Sequence, residues 1–313
     1  MFGAMRRKEE GWLAVGMQAG RIDFAHVVRP AGRRPKLMRL ESYACPDSAA
    51  AALDLLRRQK GLAKYRCTTV LEPGSYQMLQ VDAPEVPEAE LREALRWRLK
   101  DMLDYPVEQA TVDVLQLPVG QGGGRTPQVL AVAASDAVLG PRIRAFDDGR
   151  LDLQAVDIPE MAQRNLAALF EDENRGLAML AFDAAGGLLT FTYRGELCVS
   201  RRIEIGASPF EMADETRQAQ IVERVGLELQ RSLDNFERLY TTISISKIVV
   251  APCPAAPGLI EALRDFVYAP IEAMDLGRVL DCDAVPELRQ PALVAERLTV
   301  IGAALRQETG RPT

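Results

Sequence analysis

The feature that most constrains this chain is a pattern that occurs twice. Residues 12–19, 22–28 and 36–44 are short runs rich in β-branched and aromatic residues, parted by turn residues. An Ala/Leu-rich helical stretch follows, up to about residue 60. Residues 177–182, 188–193 and 196–205 repeat the three-run meander, and a long helical stretch, 214–240, follows it. Each set then gives way to alternating helices and strands. This predicts an α/β chain of two related halves, 1–170 and 171–313, with the polar segment 171–175 between them. The length of 313 residues suits about two domains.

Local signals fill in the frame. Gly20-Arg21 fits the turn of the first hairpin, and Asp47 or Ser48 can cap the first helix. Residues 67–71 read as a strand that Pro73-Gly74 stops. Residues 84–105 read as one strong helix with Pro87 at its start. Leu91, Leu95, Leu99 and Met102 share one face of it, and Arg92, Arg96 and Lys100 form a basic stripe. The stripe is either a solvated face or a contact for an acidic partner or anionic lipid. Strands at 109–117 and 128–134 flank a glycine-rich segment, 120–126. That segment lacks the Lys of a P-loop and joins strand to strand, so it reads as a hairpin tip. Helices at 135–148 and 159–170 bracket a strand at 151–156. In 214–240, Val222, Val225, Leu229, Leu233, Phe236 and Tyr240 form a core-facing stripe. A strand at 247–251, a helix at 258–267, a strand at 271–274 and a loop-like 275–289 lead to a last helix at 291–306. Residues 308–313 should fray.

Composition removes several function classes. The formal charge of -6 argues against a nucleic-acid binder, which needs a basic face to displace counterions. His26 is the one histidine, so a His-rich metal site is excluded, and no GxSxG elbow accompanies it. It reads as a satisfied strand histidine. Cys45, Cys67, Cys198, Cys253 and Cys282 form no CxxC pair and suit reduced, mostly buried thiols. No stretch reaches the ~20 apolar residues of a membrane span, and residues 1–12 lack the apolar core of a signal peptide.

Several stretches resemble known proteins: EALRWRLKDMLDYP (93–106), GLLTF (187–191), GELCVSRR (195–202), ELQRSLD (228–234) and VIGAALR (300–306). They are similar to the PilM proteins of pilus assembly, and most to the MshI proteins of MSHA-type pili. The resemblance runs in order along most of the chain. It implies an actin-like ATPase fold, the duplicated ribonuclease H-like α/β architecture, with an inserted α/β subdomain at about 72–134. It implies a cytoplasmic scaffold, peripheral to a Gram-negative inner membrane, within a pilus assembly platform. Such a scaffold binds the cytoplasmic tail of a PilN-like bitopic partner in a groove beside the inserted subdomain. Arg92, Arg96, Trp97 and Lys100 belong to that subdomain and are the candidate partner contacts.

Actin-like ATPases hold phosphates with two β-hairpins, each carrying an Asp and close glycines. Here the first hairpin keeps Gly16, but Ala14 stands at the Asp position, with Met17 and Gln18 beside it; Asp23 lies too far along the second strand to substitute without a register change. The second keeps Asp183, Gly186 and Gly187, with Leu188 where Thr is usual. The adenosine region has Pro252 and Pro254, which offer no N–H, in place of paired glycines. Glu228, Arg231 and Ser232 match a nucleotide-facing pattern, and read equally as a surface Glu–Arg pair. Asp183 reads equally as an Asx-turn. The nucleotide set, if ATP and Mg²⁺ bind at all, is therefore Gly16, Gln18, Asp183, Gly186, Gly187, Glu228, Arg231 and Ser232. Losing a positioned acid removes about 10²–10⁴-fold of rate, so the expectation is a degenerate, non-hydrolysing member. The alternatives are an active ATPase of the same fold that switches assembly, a homo-oligomeric ring or filament, and a secretion component of the GspL type, which would continue into a membrane span.

Overall fold

The computed structural model describes residues 8–18, 20–45, 48–118, 127–207, 209–210 and 214–307. The glycine-rich segment 120–126, residues 1–7 and the expected fraying end 308–313 lie outside them. The first meander is β1 (Trp12–Gln18), β2 (Arg21–Val28) and β3 (Lys36–Ala44). It leads to α1 (Ala49–Lys60), which Ser48 caps by accepting from the Ala51 N–H, and which Gly61 ends in the left-handed conformation at φ 67°. Next come β4 (Arg66–Val70), the inserted elements β5 (Gln77–Asp82), α2 (Leu91–Arg98), β6 (Ala110–Gln116) and β7 (Gln128–Ser135), then α3 (Asp136–Asp148), β8 (Asp152–Asp157) and α4 (Pro159–Ala167). The second meander is β9 (Gly176–Phe182), β10 (Gly187–Tyr193) and β11 (Glu196–Ile203). After it come α5 (Glu215–Leu239), β12 (Ile245–Val250), α6 (Leu259–Leu263), β13 (Ile271–Ala273), α7 (Leu276–Val279) and α8 (Pro291–Ala304). Asp214 caps α5 by accepting from the Arg217 N–H at 2.8 Å.

The two large sheets have the same topology. One runs β3-β2-β1-β4-β8 and the other β11-β10-β9-β12-β13. In each, a meander supplies the antiparallel part, and the first meander strand continues into two parallel neighbours. The insert between β4 and β8 makes its own sheet, β5-β7-β6.

Strand periodicity explains the layers. In β1, Leu13 and Val15 face a cluster with Leu53 and Leu56 of α1 and Phe146 of α3. Ala14, between them, faces the interior shared by both halves. That interior holds α4 and α8 side by side, with Leu166, Val300 and Ile301 against Met179 and Val249 of the second sheet. Small residues let the helices approach: a Cβ added to Gly302 of α8 would stand 2.3 Å from the Ala162 carbonyl oxygen of α4. Asn165 of α4 donates to the Gly302 carbonyl at 3.0 Å. The outer face of the second sheet packs α5 and α6 through Phe191, Val225, Leu229, Phe236 and Leu263.

Three expectations are corrected. The single helix at 84–105 is a 3-10 turn, Glu88–Glu90, then α2, which ends at Arg98. Leu95 and Leu99 are buried as expected, but Met102 is exposed. The segment after Pro73-Gly74 holds an unforeseen strand, β5, on the edge of the inserted sheet. The loop-like 275–289 contains α7 and a 3-10 turn, Pro286–Arg289.

Candidate functional site

The cleft between the halves is where the resemblance places phosphates, so its two hairpins come first. In β1–β2, Gln18 pairs with Arg21, which sets Asp23 directly opposite Gly16. Asp23 thus stays two positions from Ala25, the partner of Ala14, and does not take the expected Asp position; its carboxylate is committed elsewhere. It is 2% exposed, accepts from Ser42 at 2.6 Å and Arg21 at 3.1 Å, and lies 3.5 Å from the Arg297 guanidinium of α8. A Cβ on Gly16 would meet Asp23 and Val300 only at ordinary contact distance, 3.7–3.8 Å, so α8 already covers this glycine. Gln18 is exposed and accepts from Arg21 at 2.7 Å.

In β9–β10 the acid is retained and used locally. One oxygen of Asp183 accepts from the N–H groups of Ala185 and Gly186, both at 2.8 Å, which is an Asx-turn. Its other oxygen lies 3.5 Å from Arg202. Gly186 has φ 156°, and a Cβ there would stand 2.6 Å from the Ile203 carbonyl oxygen. Gly187 lies under the Phe182 ring, 3.0 Å from where a Cβ would sit. Both glycines are thus required by protein packing.

On α5, Glu228, Arg231 and Ser232 do come together. Glu228 pairs with Arg231 at 3.1 Å and with Arg201 of β11 at 2.8 Å, while the Ser232 hydroxyl donates back to the Glu228 carbonyl at 2.6 Å. This is the ion-pair arrangement rather than an open polar face. Between α5 and α6 a Cβ on Gly226 would reach 2.4 Å from the Phe266 ring, so that slot is closed.

A cavity of about 30 Å³ beside the second hairpin is bordered by Gln163, Phe182, Asp183, Leu298 and Thr299. That is space for about one water. Sites for nucleotide-sized ligands span roughly 300–1,000 Å³. Gln163 is itself consumed, donating to the carbonyls of Met179 and Leu188 and to Thr190 at 2.9–3.0 Å. In this arrangement the cleft residues do not fit a metal-bound nucleotide. Among the described residues no group of three or more His, Cys, Asp or Glu is placed to hold a metal. A larger cavity of about 610 Å³ opens beyond β12 and β13, bordered by Met274, Asp275, Asp281, Val285 and Arg289. Pro252 of the expected adenosine region borders it, but none of the eight candidate nucleotide contacts does.

The residues that organise the cleft were not nominated from sequence. Strand periodicity sends the adjacent Arg201 and Arg202 of β11 to opposite faces: Arg201 to α5, Arg202 into the cleft. There Arg202 meets Glu160 of α4 at 3.5 Å, and Glu160 also accepts from the Tyr76 hydroxyl of the insert. The paired arginines in 195–202 were the only sequence signal for this.

On the insert, the four partner candidates separate. Trp97 is 64% exposed on the face of α2 opposite Leu95, and Lys100 is also exposed. Arg92 pairs with Asp113 of β6 at 2.8 Å. Arg96 folds inward and donates to the carbonyls of Val107 and Glu108 at 3.1–3.2 Å, so it braces the subdomain and is not part of the free face. His26 is buried in β2, donates from Nε2 to the Glu10 carbonyl at 2.9 Å, and packs edge-on to Tyr65. None of the five cysteines is in a disulfide; Cys67 and Cys198 are buried, but Cys45, Cys253 and Cys282 are only partly so, against the expectation of mostly buried thiols.

No protein-family model matches the chain, and no curated protein is significantly similar to it in sequence. Solved structures are similar to it in fold. A chain of a PilM–PilN type IV pilus biogenesis complex aligns with TM-score 0.71 and 19% identity over 95% of this chain and 98% of that one. A Bacteroides thetaiotaomicron protein with an actin-like ATPase fold and unknown function aligns with TM-score 0.50 and 10% identity over 90% and 97%. This chain has the actin-like ATPase fold. Among the described residues no helix is long and apolar enough to cross a membrane.

Proposed function

We propose that this protein is an adaptor of a type IV pilus assembly platform that uses the actin-like fold to bind a partner and not to hydrolyse nucleotide. One observation carries the reading: the acids and glycines of both hairpins are engaged by the protein's own side chains, and the cavity beside Asp183 holds about 30 Å³. Similarity over nearly the full length to a chain of the PilM–PilN complex supports the pilus setting. The partner is then the cytoplasmic tail of a PilN-like bitopic inner-membrane protein, and the protein sits at the cytoplasmic face of that membrane through it. The short motifs shared with MshI proteins favour an MSHA-type system.

The tail docks beside the inserted subdomain, where Trp97 and Lys100 stand free and Arg92 adds charge. An exposed aromatic flanked by cations suits an anchor: aromatics dominate interface hot spots, each worth about 2 kcal/mol or more. Synthetic N-terminal tails of the bitopic proteins encoded beside this gene, followed by fluorescence anisotropy, test the reading. At least one should bind, and Trp97→Ala should weaken it by roughly thirty-fold with an unchanged melting temperature. Failure of every tail overturns the adaptor. Calorimetry with ATP, with and without Mg²⁺, should give no heat of binding; tight Mg²⁺-dependent binding with turnover favours an active ATPase.

A further inference from the structure

We infer that Arg202 is a built-in substitute for the metal-bound nucleotide: it holds the two halves closed and, through Glu160 and Tyr76, ties the inserted subdomain to the same closed state. Three separate parts of the chain meet at this one side chain. Arg202 comes from β11 of the second half and Glu160 from α4. Tyr76 comes from the insert, one residue ahead of β5. Asp183, the acid of the second hairpin, faces the same guanidinium.

The charges suit that role. An acid in this hairpin would otherwise position a divalent cation against phosphate. Here the positive charge is covalently attached, and no phosphate is needed to balance it because Glu160 supplies the second negative charge. The Glu160 carboxylate is only 5% exposed, so it depends on Arg202 and Tyr76 for partners. Burial works against the charge of Arg202, but Glu160, with Tyr76 and Asp183, outweighs it and raises the guanidinium pKa. Burial, then the Glu160 charge, push the Tyr76 hydroxyl far above its ordinary pKa, so it remains a donor. The cavity beside Asp183 and Gln163 is too small for the ligand that Arg202 replaces. This inference goes beyond the adaptor reading and does not depend on any partner.

Hydrogen exchange on the full-length protein tests it. Arg202→Met should speed exchange by roughly ten-fold in the 182–188 hairpin and in α4, while α1 and the outer face of α5 keep wild-type rates. Arg202→Lys, which keeps the charge, should restore part of the protection. Tyr76→Phe should speed exchange in β5 with little change in the hairpin. Adding Mg²⁺-ATP to the wild type should change none of these segments. Unchanged exchange in Arg202→Met overturns the inference, as does a uniform increase through both sheets, which would mark a merely stabilising residue. Protection of the wild-type hairpin by Mg²⁺-ATP overturns it too. Tail binding decides the adaptor reading separately, so either idea can fail without the other.

Discussion

The two cleft hairpins are built on the same topology and each carries an acid, Asp23 within β2 and Asp183 in the turn after β9, and they use it differently. In β1–β2, Asp23 is sealed under α8 inside an ion cluster with Arg297, Arg21 and Ser42. In β9–β10, Asp183 is a partly exposed turn-former that lends its spare oxygen to Arg202. The same difference runs through the glycines. Gly186 and Gly187 are fixed by neighbours within 3.0 Å of an added Cβ, whereas Gly16 has ordinary room. The fold has thus converted one hairpin into core and the other into a latch.

Stability measurements can break that contrast, the largest effect first. Asp23→Ala takes the buried carboxylate away from Arg21, Ser42 and Arg297, leaving Arg297 only the exposed Glu296, and should cost about 3 kcal/mol, because breaking a buried ion pair is expensive. Asp183→Ala loses turn hydrogen bonds at a partly exposed site and should cost about 1 kcal/mol. Equal costs by urea unfolding would erase the distinction between core and latch. Gly186→Ala forces a side chain into a backbone conformation that strains L-residues and into the Ile203 carbonyl, so a loss of about 2 kcal/mol is expected. Gly16→Ala should stay within about 0.5 kcal/mol of wild type. A large loss there would mean that the first hairpin is as tightly built as the second.

The smallest effect concerns pH. Only the first half carries a histidine. Burial holds the His26 pKa below its ordinary 6.5, against the pull of the Glu10 carbonyl. A base with a depressed folded pKa contributes stability that is complete above 6.5 and is lost as pH falls toward the folded value. Between pH 7 and 5.5, exchange should therefore quicken in β1 and β2 and not in β9 and β10. His26→Gln should remove the difference.

Much of the fold could be read from the chain because its signals are local. The meanders are marked by turn residues, and α5 by Asp214 at one end and the Val222–Tyr240 stripe along its length. The errors came where distant contacts decide. The Leu91–Met102 spacing continued past Arg98, but the backbone there passes into turns, with the Met102 N–H donating to the Leu99 carbonyl. Strand β5 alternates weakly because it is an edge strand on a half-covered sheet. The first turn lies earlier than Gly20-Arg21: Gln18 pairs with Arg21, a register that still leaves Asp23 opposite Gly16 and Ala25 opposite Ala14. The candidate site was less legible. Asp183 as an Asx-turn and Glu228–Arg231 as a pair are legible in local spacing. Glu160 and Tyr76 carried no local signal, since their meaning lies in where Arg202 arrives from another half.

The Gly302–Ala162 crossing also has a mechanical consequence. With backbone resting on backbone and Asn165 bolting the two helices together, α4 and α8 cannot slide past one another without breaking the contact. The crossing is therefore a detent that fixes how far along one another the two helices sit.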